Sequence, residues 1–336
     1  MKRRVLTGVF LFLVLYRLPA QGIVDPPLDQ KIDWNGYIQL RSTTNFNDHF
    51  GFALRRLKLW MRSGPGFSDH WSFKVQTTFS SFHKEKFFLQ DVKLGYRTGI
   101  FSLEMGQFVP EYSLQRFQHD YLIPPIERAK VINTLIPDGT LGVRDLGVQG
   151  TLTSRNHLVQ TSLGIFNGYG IPEYRINNTG FMVTHKTGLK IPWQNNSLQV
   201  GYSFQYRKAE NLRIPFVLPD TVFFTGNDIR YNFFAMFSSK YFLIQGEYLH
   251  AGFDGETADG YYILSALTIR KSQIVLSWEK YKDLIAGTSD KPYIRAGYNL
   301  LIKSYKLKVS LDNYFQLSEN RIQKYFATVQ LQFFIK

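Results

Sequence analysis

Trp71-Ser72-Phe73-Lys74-Val75-Gln76-Thr77-Thr78-Phe79-Ser80 switches between apolar and polar at nearly every step. Successive side chains on a strand point to opposite faces, so a period of two makes one apolar face and one polar face. Leu198-Gln199-Val200-Gly201-Tyr202-Ser203-Phe204-Gln205-Tyr206 repeats the pattern. A soluble sandwich alternates too, but its apolar faces share a core. Here the polar parity carries lysine, arginine and glutamine, and the apolar parity is rich in rings. That is how a closed barrel divides lipid outside from water inside.

Sixteen such segments run from near 33–43 to near 323–335. Bacterial outer-membrane barrels have even strand numbers, short periplasmic turns and longer external loops. With a periplasmic N-terminus, the even-numbered connectors are brief: 98–99, 154–157, 239–240, Lys271 and Ser304. The odd-numbered ones include 109–144 and 208–228, the longest in the chain, and 251–260. A soluble all-β protein has no reason for such a two-sided asymmetry. The expected fold is all-β, a closed antiparallel transmembrane β-barrel of about 16 strands of the outer-membrane type.

Composition agrees. Hydrophobic residues are 44% of the 336, and no run of about 20 apolar residues lies beyond the N-terminus, which excludes ordinary transmembrane helices. Aromatic content of 16% suits ring girdles at both membrane interfaces. The chain has no cysteine, which excludes disulfides, thiolate metal sites and a lipid-modified cysteine anchor. Residues 1–20 read as a signal peptide: Lys2, Arg3 and Arg4, an apolar run over 5–16, then Leu18, Pro19 and Ala20. The run is too short for an uncleaved membrane anchor. Its removal takes away four cations, with Arg17 the fourth, and lowers the net charge from +14 to +10. Residues 21–32, with Pro26 and Pro27, read as a periplasmic tail, and 33–336 as the barrel with its long third external loop at 109–144.

Parity assigns Arg41, Arg56, Lys58, Arg62, Lys74, Lys93 and Arg97 to the lumen on four consecutive strands. Neighbouring strands lie about 4.8 Å apart, so these seven form a patch on one wall. Lys186, Lys190, Arg207, Arg230, Arg295, Lys306 and Lys308 follow on later strands, against fewer inward acids: Asp91, Glu104, Asp145, Glu247, Glu279 and Asp312. A charged lining in a narrow pore sets ion selectivity, and low-dielectric walls focus its field. Mere solvation of the lumen explains polarity but not sign. Replacing Arg56, Lys58 and Lys74 by glutamate is expected to leave folding intact and shift selectivity toward cations. Arg55 and Lys280 fall on lipid parity near external strand ends, where each is expected to reach solvent or lipopolysaccharide phosphates. His185 falls on lipid parity near mid-strand, which a bulge, a protomer interface or a different register would explain.

The loop 109–144 is too long for a hairpin connector, and loops of that length are usually functional. Its apolar residues, among them Leu114, Phe117, Tyr121, Ile126, Val131, Ile132 and Leu135, are enough to pack. An inward fold would narrow the pore, bringing Arg116, Arg128 or Lys130 toward Arg56, Lys58 and Lys74, with Glu127 as a counter-charge. The alternative is an external lid or a trimer contact.

An ordered set of motifs spans roughly residues 33–170: Arg55-Arg56-Leu57, Trp71-Ser72-Phe73-Lys74, Asp91-Val92-Lys93-Leu94-Gly95-Tyr96, Met105-Gly106-Gln107-Phe108 with Pro110, Ile126-Glu127-Arg128-Ala129, Arg144-Asp145-Leu146-Gly147-Val148 and Gly164-Ile165-Phe166-Asn167-Gly168. In this set the chain resembles the phosphate-selective porins O and P. The resemblance implies a sixteen-stranded homotrimeric porin of the Gram-negative outer membrane, a passive diffusion channel for small anions such as phosphate or polyphosphate. Its partners would be lipid, lipopolysaccharide and inorganic anions. Val109 stands where the family often has a basic residue, a departure that touches phosphate preference and not the barrel.

Three other readings remain: a general non-selective porin, an outer-membrane enzyme and a structural barrel. The seven histidines are scattered, without metal-ligand spacing, and no glycine-rich phosphate loop occurs. No catalytic residue, cofactor, metal or nucleic-acid partner is expected.

Overall fold

The computed structural model describes residues 32–80, 86–136, 144–170, 179–285, 292–318 and 321–336. The signal peptide expected over 1–20, and the tail except Ile32, lie outside the described residues. Sixteen strands are present among them: β1 Asp33–Thr44, β2 Phe50–Ser63, β3 Trp71–Ser80, β4 Lys86–Thr98, β5 Phe101–Phe108, β6 Asp145–Thr153, β7 Val159–Phe166, β8 Phe181–Trp193, β9 Asn196–Leu212, β10 Phe224–Ser238, β11 Phe242–Phe253, β12 Glu256–Ile269, β13 Ser272–Lys282, β14 Tyr293–Tyr305, β15 Leu307–Ser318 and β16 Arg321–Phe334. Each pairs antiparallel with its neighbours in sequence, and β1 pairs β16 from Tyr37↔Phe334 to Thr44↔Ala327, closing the barrel. Closure leaves no unpaired edge in the wall, which the interior of a bilayer requires.

The barrel termini meet at the end that carries the short turns. Lys336 reaches Asp33 at 3.4 Å, and the Ile335 amide donates to the Gly36 carbonyl at 2.8 Å. The opposite end is less uniformly looped than the alternation suggests. The loop expected at 251–260 is a two-residue hairpin at Asp254 and Gly255, both with positive φ (46° and 106°). That conformation matches the strand twist and lets β11 and β12 pair to their tips. The connector expected at 208–228 shortens in the same way, because β9 runs to Leu212 and β10 begins at Phe224.

Outward parity carries an exposed apolar belt, with Leu163 57% and Ile165 60% exposed. His185 does face outward, in regular register between Leu163 and Phe204. No bulge or slip is involved. Its Nε2 lies 3.2 Å and 3.3 Å from the hydroxyls of Thr161 and Thr187, so the imidazole is satisfied on the outer surface.

Two of the bulges, in the β1–β2 and β3–β4 ladders, re-aim the wall. Gln39 pairs Arg56 while Leu40 pairs Leu54, leaving Arg55 as the extra residue. Gln76 pairs Asp91 while Thr77 pairs Leu89, leaving Gln90 extra. Each extra residue breaks the alternation locally and sends two neighbours to one face. Arg55 therefore joins Arg56 in the lumen, contrary to its lipid parity.

The first part of the long connector folds into the barrel. Its one helical turn, α1 (Lys130–Leu135), buries Val131, Ile132 and Leu135 in an apolar cluster inside the lumen. The cluster is completed by inward residues of β11–β13, including Leu249, Ala251, Leu264, Ala266 and Val275, and by Ile214, Val217 and Leu218 of the β9–β10 connector. Each fully buried aliphatic side chain contributes roughly 1.5–3 kcal/mol, so the loop is a packed part of the barrel. It fills the β9–β15 side and leaves the β2–β5 side open.

Candidate functional site

The open side is a cavity of about 2230 Å³. It runs between the loop and strands β2–β5 and reaches the short-turn end, where Lys240, Arg270 and Lys271 line it. Among the described residues, twelve cations and four carboxylates line the cavity.

Asp120 of the loop is the centre of an ion-pair cluster between loop and wall. Its carboxylate takes Arg56 at 2.7 Å and Lys58 at 2.8 Å from the wall, and Arg128 from the loop itself. Burial pushes its pKa up, but Arg128, Arg56 and Lys58 outweigh burial and hold it well below the usual carboxylate range. Glu127 plays the same part nearer the loop end of the barrel. It takes Arg41 at 2.9 Å and the bulge residue Arg55 at 2.6 Å. Burial opposes ionisation there too, and Arg55 and Arg41 overcome it, so Glu127 also stays below its ordinary range.

Across the wall the charges interleave. Lys74 opposes Lys93 in register, an arrangement that like-charge repulsion disfavours. Asp91 offsets it by taking Lys74 at 2.5 Å together with Arg144, while Glu104 takes Lys93. Gly106, opposite Lys93, adopts φ +120°, and a Cβ there would meet the Val92 carbonyl at 2.2 Å. Only glycine fits that close approach. Beyond it both Gln107 and Phe108 are buried, and Lys93 lies 5.6 Å over the Phe108 ring.

The wall also holds the loop's backbone. Glu247 accepts the amides of Leu114 and Gln115 at 2.8 Å and 2.7 Å, and the hydroxyl of Tyr262 at 2.8 Å. Glu279 accepts the Val131 amide at 3.1 Å. Loop carbonyls take donors from Lys186 (to Ser113), Arg230 (to Leu135), Arg295 (to Glu127), Asn299 (to Pro124) and Lys308 (to Ile123). A loop buried in a barrel must satisfy its polar backbone somewhere, and these residues do so.

The structure sorts the sequence-derived residues accordingly. Arg56, Lys58, Arg62, Lys74 and Lys93 line the cavity, as do Arg116, Glu127 and Arg128. Arg41 is buried behind the loop, bound to Gln330 and Glu127. Arg97 is exposed at the short-turn end, opposite Ser102 in the β4–β5 ladder, and does not line the cavity. Of the loop cations, Arg128 meets the Arg56–Lys58 wall through Asp120. Arg116 instead donates to the Ile132 carbonyl at 3.2 Å, and Lys130 lies 4.4 Å over the Tyr293 ring on the far side. Glutamates at Arg56, Lys58 and Lys74 would face Asp120 and Asp91, so that triple replacement would break the ion pairs that hold the loop against this wall.

Sequence reasoning missed Asp120, Arg55 and Arg144 as site residues, and missed the clasping role of Glu247 and Glu279. One signal was present: the inward parity of β11–β13 turns apolar at Leu249, Ala251 and Val275, the footprint of a packed loop.

The model of the phosphate-selective porin O and P family matches residues 30–210. No curated protein matches the chain in sequence. Solved structures match its fold. Salmonella typhi OmpF aligns at a TM-score of 0.67 and 11% identity, covering 91% of this chain and 98% of that one. OmpT of Vibrio cholerae, in its trimer form, gives 0.62, 10%, 91% and 99%. The anion-selective porin from Comamonas acidovorans gives 0.61, 11%, 91% and 99%.

Proposed function

Because the chain belongs to the phosphate-selective porin O and P family, channels of the Gram-negative outer membrane, we propose that its lumen is a passive diffusion path for small anions, phosphate among them. The observation that carries this reading is the imbalance of the cavity lining, twelve cations to four carboxylates. Arg62, Lys240, Arg270 and Lys271 have no carboxylate partner among the described residues and give the short-turn mouth a positive field. At the constriction, Asp120 neutralises only part of the charge of Arg56, Lys58 and Arg128. An anion entering there exchanges some of its water shell for lysine and arginine donors and moves between several weak sites, tight enough to enter and weak enough to leave. The pairing of most wall cations favours the competing reading, a general porin without selectivity.

The same reading makes residues 1–20 a cleaved signal peptide, 21–32 a periplasmic tail and 33–336 the barrel, with the short-turn end periplasmic. Assembly is a homotrimer. Strands β5, β6 and β7 have 8, 9 and 8 residues, at or below the roughly 9–11 that a tilted spanning strand needs. Thr161 of β7 joins His185 and Thr187 in a polar set on the same outward face, which supports this face as the one that a second copy covers.

The test is the reversal potential of the reconstituted channel in a potassium chloride gradient, with phosphate then added as a competitor. An anion-selective potential is expected, reduced by Lys58→Gln with Lys74→Gln, and phosphate should lower the chloride current. A potential near zero or on the cation side supports the general porin instead.

A further inference from the structure

Rings gather on the lumen face of the constriction, where small hydrated anions have no use for them. His119 and Tyr121 of the loop lie 5.2 Å apart with planes 8° from parallel. Tyr121 and Trp60 of β2 lie 6.3 Å apart and 4° from parallel. Three rings thus form an offset stack with near-parallel planes across the seam between loop and wall, and all three line the cavity. The Tyr121 ring is fixed from behind by edge contacts with Tyr37 and Phe334 at 5.5 Å and 4.8 Å. The platform is therefore preorganised, with His119 exposed at its open face. Partial burial against Tyr121, together with Lys74 and Lys58, keeps the His119 pKa below its ordinary value. Arg62 lines the same cavity, is exposed and has no carboxylate partner among the described residues; its field reaches both His119 and Tyr121.

We propose that these groups form a stacking subsite for organic anions, the ring of the solute lying against His119 and Tyr121 while its phosphate meets Arg62. The proposal rests on the reading of the lumen as an anion path and names the solute class that path is built to retain. Aromatic stacking is indifferent to the exact ring, because every flat π-system offers the same face. The subsite would thus hold a class of ring-bearing phosphates in preference to free phosphate. A favourable stack is worth about tenfold in affinity.

Phenyl phosphate and methyl phosphate carry the same anionic group and differ in the ring. Each is titrated against the chloride current of the full-length channel in a planar bilayer. Phenyl phosphate is expected to block at roughly a tenfold lower concentration. In His119→Ala that ratio should fall to about threefold or less, and in Arg62→Gln both compounds should weaken together. Equal block by the two compounds in the wild type overturns the proposal, as does a ratio untouched by His119→Ala or block untouched by Arg62→Gln. The wild-type reversal potential in potassium chloride reads the underlying anion selectivity separately, so a failed ring preference in an anion-selective channel is told apart from a channel that does not select anions.

Discussion

Asp120 is one carboxylate set among three cations, Arg56, Lys58 and Arg128. These groups are mostly buried, and stripping a buried cation of its partner costs on the order of 3 kcal/mol. Asp120→Asn keeps the shape and removes the charge. The barrel should still assemble, since its pairing is untouched. The loop tip should loosen and the lumen become more positive. Reversal potential should move further toward anions, and open-channel current noise should rise. A shift toward cations would show that Asp120 does not set the constriction's charge. Asp120 could not be picked out beforehand, because it lies in a loop where no periodicity assigns a face. Arg55 was misassigned for a related reason: one bulge reverses parity, and nothing in Arg55-Arg56-Leu57 itself announces an extra residue.

At the level of elements, the inward loop and the wall that grips it act as a unit. Many cations on β8–β15 that parity places in the lumen do not touch the cavity. Lys186, Arg230, Arg295 and Lys308 cap loop carbonyls, and Arg207 and Arg230 share Asp228. Their positive charge completes the hydrogen bonding of a buried backbone. Glu247 is the strongest clasp, accepting two loop amides and the Tyr262 hydroxyl. Glu247→Ala leaves those donors unsatisfied, at about 1–3 kcal/mol each. The expected outcome is a loop that loosens around Leu114 and Gln115 part of the time, seen as a higher and more variable single-channel conductance with normal membrane insertion. Conductance equal to wild type would place the constriction elsewhere. The apolar seat beneath α1 should keep the loop inside the barrel even in this variant, so full porin-like opening is not expected.

For the whole molecule, the docked loop ties conductance to pH. Asp120 and Glu127 have pKa values held below their free values by the surrounding cations. A carboxylate with a depressed pKa contributes its stabilisation above the free value, near 4 for Asp and Glu, and loses it only as pH falls through the lower, folded value. The constriction should therefore keep its conductance through pH 4 and widen only in stronger acid. Single-channel recordings from pH 7 downward test this, and a conductance step between about pH 5 and 4 would show that the two carboxylates are not held in this way.

Alternation by twos is a relation between adjacent residues, so the sequence by itself sufficed for sixteen strands, a closed antiparallel barrel and a lumen lined by Arg56, Lys58, Lys74 and Lys93. It also located the loop, because 109–144 breaks that alternation while remaining apolar enough to pack. Which charges survive in the pore was decided only by the tertiary structure. Asp120 meets Arg56 across 64 residues of chain, and Glu279 meets the loop across 148. Such encounters depend on the path of an aperiodic loop and on the bulges at Arg55 and Gln90. Closure of the barrel brings both walls within reach of that loop, and long-range Coulomb and hydrogen-bond partners exist only after the chain has closed.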